Sequence, residues 1–120
     1  IMALVPTLTI NDTTTFSDEI NFSVTDELTV ATPAQSLSTI ACATAGANSI
    51  IVPASASGCY LFVRHTANLS NVVLVENTDD TQFANLKAGE WMFLPHLSGS
   101  LGVQVQSAAA VVIEYAYWTI

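Results

Sequence analysis

The feature that most constrains this chain is the spacing of its β-forming side chains. Val, Ile, Thr, Tyr, Phe and Trp come in short runs, and Gly, Pro, Asn, Asp and Ser punctuate them. No window holds apolar residues at i, i+3, i+4 and i+7 for three turns, so the sequence specifies no amphipathic helix. Over residues 59–65, Leu61 and Val63 fall on one side of an extended chain and Tyr60, Phe62 and Arg64 on the other. Val103 and Val105 alternate with Gln104 and Gln106, the pattern of a half-buried strand. Residues 110–120 form the longest run. It carries Val111, Ile113, Tyr115 and Tyr117 on one face, and Val112, Glu114, Ala116 and Trp118 on the other. Residues 91–94 read as a strand stopped by Pro95, preceded by a turn in which Gly89 takes positive φ. Eight or more such strands predict an all-β fold, an antiparallel β-sandwich or jelly-roll-like domain.

A chain of 120 residues is one domain. Residues 1–35 read as an N-terminal acidic strand or arm segment, either part of the same fold or an interaction arm, and 36–120 as the sandwich core. The arm carries a short repeat, eight residues apart. Phe16-Ser17-Asp18-Glu19-Ile20-Asn21-Phe22 matches Val24-Thr25-Asp26-Glu27-Leu28-Thr29-Val30. Each unit reads as a turn feeding a strand, with the Asp side chain closing the turn on backbone N–H groups. A calcium site from Asp12, Asp18 and Asp26 is the weaker alternative, because the segment lacks the dense alternation of acids in a calcium loop.

Two basic and ten acidic residues give a net charge of −8. Two cations cannot neutralise a phosphate track, so nucleic acid is not expected as a partner, and an anionic membrane surface is disfavoured on the same ground. The apolar runs are too short for a membrane-spanning helix of ~20 residues, and no signal peptide is visible. Charged residues make up only 10% of the chain, against roughly 25% in an ordinary soluble domain. A monomer can stay soluble on Thr, Ser and Asn, but a subunit that buries its outside against neighbours fits this composition better.

Chemistry-bearing constellations are sparse. His65 and His96 read as surface or interface histidines, in neither an HxH nor an HExxH spacing. Cys42 and Cys59 match no CxxC motif and read as buried free thiols, with a bridge between neighbouring strands as the alternative. Cys59 and His65 on one strand stand roughly 20 Å apart, too far for proton transfer. Glu76, Glu90 and Glu114 are the carboxyls from which a glycosidase pair would have to come. Pairing of Glu114 or Glu76 with Arg64 or Lys87 across strands is the plainer expectation. The sequence therefore predicts no enzyme, no catalytic residue, no metal and no cofactor. Trp91, Trp118, Tyr115 and Tyr117 offer an aromatic platform for sugar, though packing is the commoner use of such residues.

Strands that are apolar on both faces point to protein–protein contact instead. In a lone sandwich the outward face is polar, yet here it carries Val112 and Trp118, and Trp91 and Phe93 oppose Met92 and Leu94. Trp91, Met92, Phe93, Val112, Tyr117 and Trp118 are the expected interface residues. The competing expectation is that the N-terminal segment covers them.

The C-terminal half also carries a succession of elements. Tyr60-Leu61-Phe62-Val63-Arg64 is followed by Asn71-Val72-Val73-Leu74-Val75 and by Phe83-Ala84-Asn85-Leu86-Lys87-Ala88-Gly89-Glu90. A strand ending at Pro95, Val103-Gln104-Val105-Gln106 and Val112-Ile113-Glu114-Tyr115 complete it. Over residues 59–118 this resembles small β-rich virion proteins encoded among the structural genes of tailed bacteriophages. The resemblance implies a non-enzymatic particle component: a capsid decoration or cement protein, or else a tail, fibre or spike subunit. The implied partners are other copies of the chain, as a homo-oligomer, and the major capsid protein. The implied place is the outer surface of a virion assembled in the host cytoplasm. A carbohydrate-binding β-sandwich is the remaining alternative.

Overall fold

The computed structural model describes residues 2–12, 21–31, 37–42, 49–54, 58–97 and 102–120. They form twelve strands and, among the described residues, no helix. The strands are β1 (Met2–Leu4), β2 (Thr7–Asn11), β3 (Asn21–Thr25), β4 (Leu28–Val30), β5 (Ser38–Ala41), β6 (Ser49–Val52) and β7 (Cys59–His65), then β8 (Val73–Asn77), β9 (Gln82–Leu86), β10 (Trp91–Leu97), β11 (Val103–Ser107) and β12 (Val112–Thr119).

The last eight strands make an antiparallel β-sandwich of two sheets, ordered β10-β7-β12-β5 and β6-β11-β8-β9. The pairing is nested: β5 with β12, β6 with β11, β7 with β10, and β8 with β9. Residues 38–119 are thus one long hairpin whose tip is the β8–β9 turn. Rolling it up brings β7 against β12 and β8 against β11. This is the jelly-roll order.

Alternation fills the space between the sheets. Leu61, Val63 and Ile113 from one sheet, and Val73, Val75 and Val105 from the other, have no exposed surface. Ile40, Met92, Leu94, Tyr115 and Tyr117 close the margins of this core. At one end the chain approaches itself closely. A side chain on Gly102 would collide with the Val52 carbonyl oxygen and meet the Ala54 nitrogen at 2.9 Å, so only glycine fits beside the β11 bulge. Gly89 takes φ +85°, as the turn before β10 predicts.

Two expectations are corrected. Pro95 does not end its strand: β10 runs on to Leu97, with a register shift between Leu94 and Leu97. It lies at the edge of its sheet, where a missing N–H costs no ladder bond. And β11 is not half-buried by alternation, because Gln104 is as buried as Val103.

Before the sandwich lies an antiparallel ribbon, β1 with β4 and β2 with β3. Met2 pairs with Val30, Leu4 with Leu28, Leu8 with Val24 and Ile10 with Phe22. The register is the same on both sides of the break at Val5-Pro6 and Asp26-Glu27. Asp26 and Glu27 therefore interrupt the ribbon without reversing it. The Asp26 N–H donates to the Pro6 carbonyl at 3.1 Å and the Glu27 N–H to Asp26 Oδ1 at 2.8 Å. The first repeat unit and Asp18 lie largely outside the described residues.

Candidate interaction surface

Cross-strand partners share a face, so the ribbon's register sorts its side chains. Leu8, Ile10, Phe22 and Val24 lie together on one face of its outer half. The other face is Thr7 against Thr25 and Thr9 against Ser23, with hydroxyls hydrogen-bonded at 2.9 and 3.0 Å. The ribbon is amphipathic, as a strand covering a core would be. Its outer half covers none: Leu8 is 39%, Ile10 40%, Phe22 41% and Val24 54% exposed. Burial rises toward the root, where Leu28 is half-buried and Val30 is 2% exposed. There the Ala31 N–H donates to the Thr119 carbonyl at 2.8 Å, fastening the ribbon to the end of β12.

Where the ribbon meets the edge strand β10, an open groove of about 600 Å³ remains. Pro6, Thr7, Leu8, Val24, Thr25 and Asp26 form its ribbon wall, and Trp91, Met92 and Phe93 its sandwich wall. Registers place Trp91, Phe93, Tyr60, Phe62, Ala116 and Trp118 on the outward face of this sheet. Tyr60 and Phe93 stack, centroids 6.4 Å apart and planes 5° apart, and Phe62 tilts against Trp91 at the same separation.

The six expected interface residues thus divide. Trp91 is 54% exposed; Phe93, Val112 and Trp118 are half-buried on the outward face. Met92 and Tyr117 turn inward and pack on the core. Tyr115 does likewise, so the four aromatics of the expected sugar platform do not share a face. Leu8, Ile10, Phe22 and Val24 were not among the expected contact residues.

The polar candidates take other positions. His65 is not a surface residue: it is fully buried on the same face as Leu61 and Val63. Its Nδ1 accepts the Ala67 N–H at 2.9 Å, so Nε2 carries the proton and donates to the Asn71 carbonyl at 2.8 Å. Ala67 sits at φ 64°, and this bond supports its unfavourable backbone. The side chain of His96 lies outside the described residues.

Glu76 is buried without Arg64 or Lys87. Gln104 Nε2 reaches its Oε1 at 2.8 Å, and Gln106 Nε2 reaches both oxygens at 3.2 and 3.1 Å. The same Gln104 nitrogen donates to Asp80 Oδ1 at 2.8 Å. Glu90 closes its own turn on the Lys87 N–H at 2.6 Å, and Glu114 stands opposite Arg64 in the other sheet from Glu76.

Both cysteines are free and buried. Cys42 bonds Val111 at the start of β12 and Cys59 pairs with Thr119 at its end, which sets them about 26 Å apart. No intramolecular bridge spans that distance. Burial pushes the Cys42 thiol up to about 11 and raises that of Cys59.

No protein-family model, no curated protein and no solved structure matches the chain.

Proposed function

We propose that this chain is a non-enzymatic structural subunit of a virion, a capsid decoration or cement protein that stabilises a shell through protein–protein contacts. The observation that carries this reading is the ribbon: a register-matched apolar stripe of Leu8, Ile10, Phe22 and Val24 held out from the sandwich and left about 40–50% exposed. A two-stranded ribbon is marginal alone in water, and its apolar face gains about 25 cal/mol for each Å² removed from water. Exposed Trp91 beside the groove extends the adhesive surface. The jelly-roll order agrees, since capsid domains use it, but lectins do too, so the fold supports the reading by analogy only. The resemblance over residues 59–118 supplies the tailed-phage setting.

The test is to count the chain in purified particles of the virus that encodes it. A decoration protein is expected at about several hundred copies, one set for each symmetry-related gap in the shell. About six or twelve copies would move the chain to the tail or neck. Its absence from particles would reject the reading.

A further inference from the structure

We propose that the outer half of the ribbon is a strap: it swings about the break at Val5-Pro6 and Asp26-Glu27 and closes on β10, so that the free subunit hides its own apolar stripe. This regulation rests on the contact function above and acts on the same residues.

The break has the makings of a hinge. Strand pairing stops at Leu4 with Leu28 and resumes at Thr7 with Thr25. Between them the Asp26 N–H reaches the Pro6 carbonyl, and Pro6 has no N–H to return a bond. A few residues at the ends of strands are enough to absorb a rotation. The two sides of the break are held differently. The root is anchored by buried Val30 and by the bond from Ala31 to Thr119, whereas every residue of β2 and β3 is exposed. The seat lies across the groove: Leu8 and Val24 line it on the ribbon side, and Trp91 and Phe93 on the sandwich side. Swinging the outer half inward takes these four side chains out of water against one another.

Size favours closure within one chain. Five residues of two strands cover about 17 by 10 Å, roughly 170 Å², where a stable interface between separate molecules needs about 800 Å² a side. A strap already tethered beside its seat loses no translational freedom on closing, so a small contact is enough. Charge agrees. The ribbon residues 2–12 and 21–31 carry Asp12, Asp26 and Glu27 and no Lys or Arg. The seat carries Arg64, one of the chain's two cations, which is exposed and stands opposite Trp91. Closing therefore brings an acidic strap toward a basic side chain, whereas two copies of charge −8 repel each other.

The experiment is NMR on the whole chain in solution. Closure is expected to give NOEs from the Leu8 and Val24 methyls to the Trp91 ring, unchanged on dilution, and to shield the Trp91 indole N–H from a soluble gadolinium chelate. Val24→Asp sets a carboxylate in the closed seam. It is expected to remove the NOEs and to raise the gadolinium effect at Trp91 about twofold. Ser23→Asp adds the same charge on the hydroxyl face of the ribbon and is expected to change neither signal. Wild-type NOEs do not depend on how well either variant folds. Their absence, a Trp91 signal indifferent to Val24→Asp, or an equal response to Ser23→Asp would overturn the proposal. So would NOEs that fade on dilution, the mark of contact between copies. Particle copy number is independent of these results, so the strap can fail while the contact function stands.

Discussion

At the scale of single residues, the polar groups that matter are those the strands bury. His65 follows Leu61 and Val63 in a period of two within the strand expected over residues 59–65, so its burial follows from alternation. Reading it as a surface group gave its polarity more weight than its position. Both ring nitrogens hold the connection that carries the chain from β7 to β8 in the opposite sheet. His65→Ala leaves the Asn71 carbonyl and the Ala67 N–H without these partners and opens a cavity. It is expected to cost about 3 kcal/mol in urea unfolding. Cys42 provides a pH test. Its folded-state thiol titrates near 11 against 9.0 for the free group, so between those values the unfolded chain binds fewer protons than the folded one. Stability from this group is therefore complete below pH 9 and lost as pH rises toward 11, by about 2 kcal/mol. Because other groups titrate in that range, the readout is the difference in alkaline slope between the wild type and Cys42→Ala, which is expected to be shallower.

At the scale of elements, the sandwich strands were legible because each obeys a short alternating pattern bounded by turn residues. Gly89 and the β8–β9 turn at Asp79-Asp80 are examples: Gly89 takes positive φ, and Asp80 sits at φ 69°. Pro95 misled because strand order is not written locally: proline stops a central strand but is tolerated in β10, and only the pairing reveals that β10 is an edge. Gln104 and Gln106 misled for a related reason. Alternation sends them outward, but Glu76 on β8 meets them there and the three bury one another. The ribbon was written in plain form, with apolar residues at even positions from Met2 to Ile10 and again at 22, 24, 28 and 30. The acidic interruption at Asp26-Glu27 breaks the alternation where the two halves of the ribbon meet. The ribbon's graded burial sets a paired expectation. Val30→Ala removes methyls from a filled site and is expected to cost about 2 kcal/mol, whereas Val24→Ala, half in water, is expected to cost under about 0.5 kcal/mol. Thermal or urea melts of the two variants compare them directly. Amide exchange gives a second measure: β2 and β3 amides are expected to exchange orders of magnitude faster than those of β7 and β12.

At the scale of the whole molecule, nesting governs how the chain can fold. The outermost strand pair joins Ser38 to Tyr115, 77 positions apart in sequence (115 − 38), whereas the tip joins Glu76 to Gln82, 6 apart (82 − 76). Every pair outside the β8–β9 tip closes a longer loop than the one inside it, so ordering the chain precedes most of the contacts that stabilise the order. The outer half of the ribbon adds nothing to that closure, since it has no buried contact to contribute. Refolding from urea is therefore expected on the scale of tenths of a second or slower, as for other sheet proteins with distant pairings. Val24→Ala is expected to leave the rate unchanged. Val75→Ala, in the innermost strand and fully buried, is expected to slow refolding if the tip forms first, because its contacts then belong to the transition state. Stopped-flow fluorescence of Trp118, half-buried on β12, reports closure of the outermost strand. A wild-type phase completed within microseconds, or Val75→Ala acting wholly on the unfolding rate, would rule out nucleation at the tip of the hairpin.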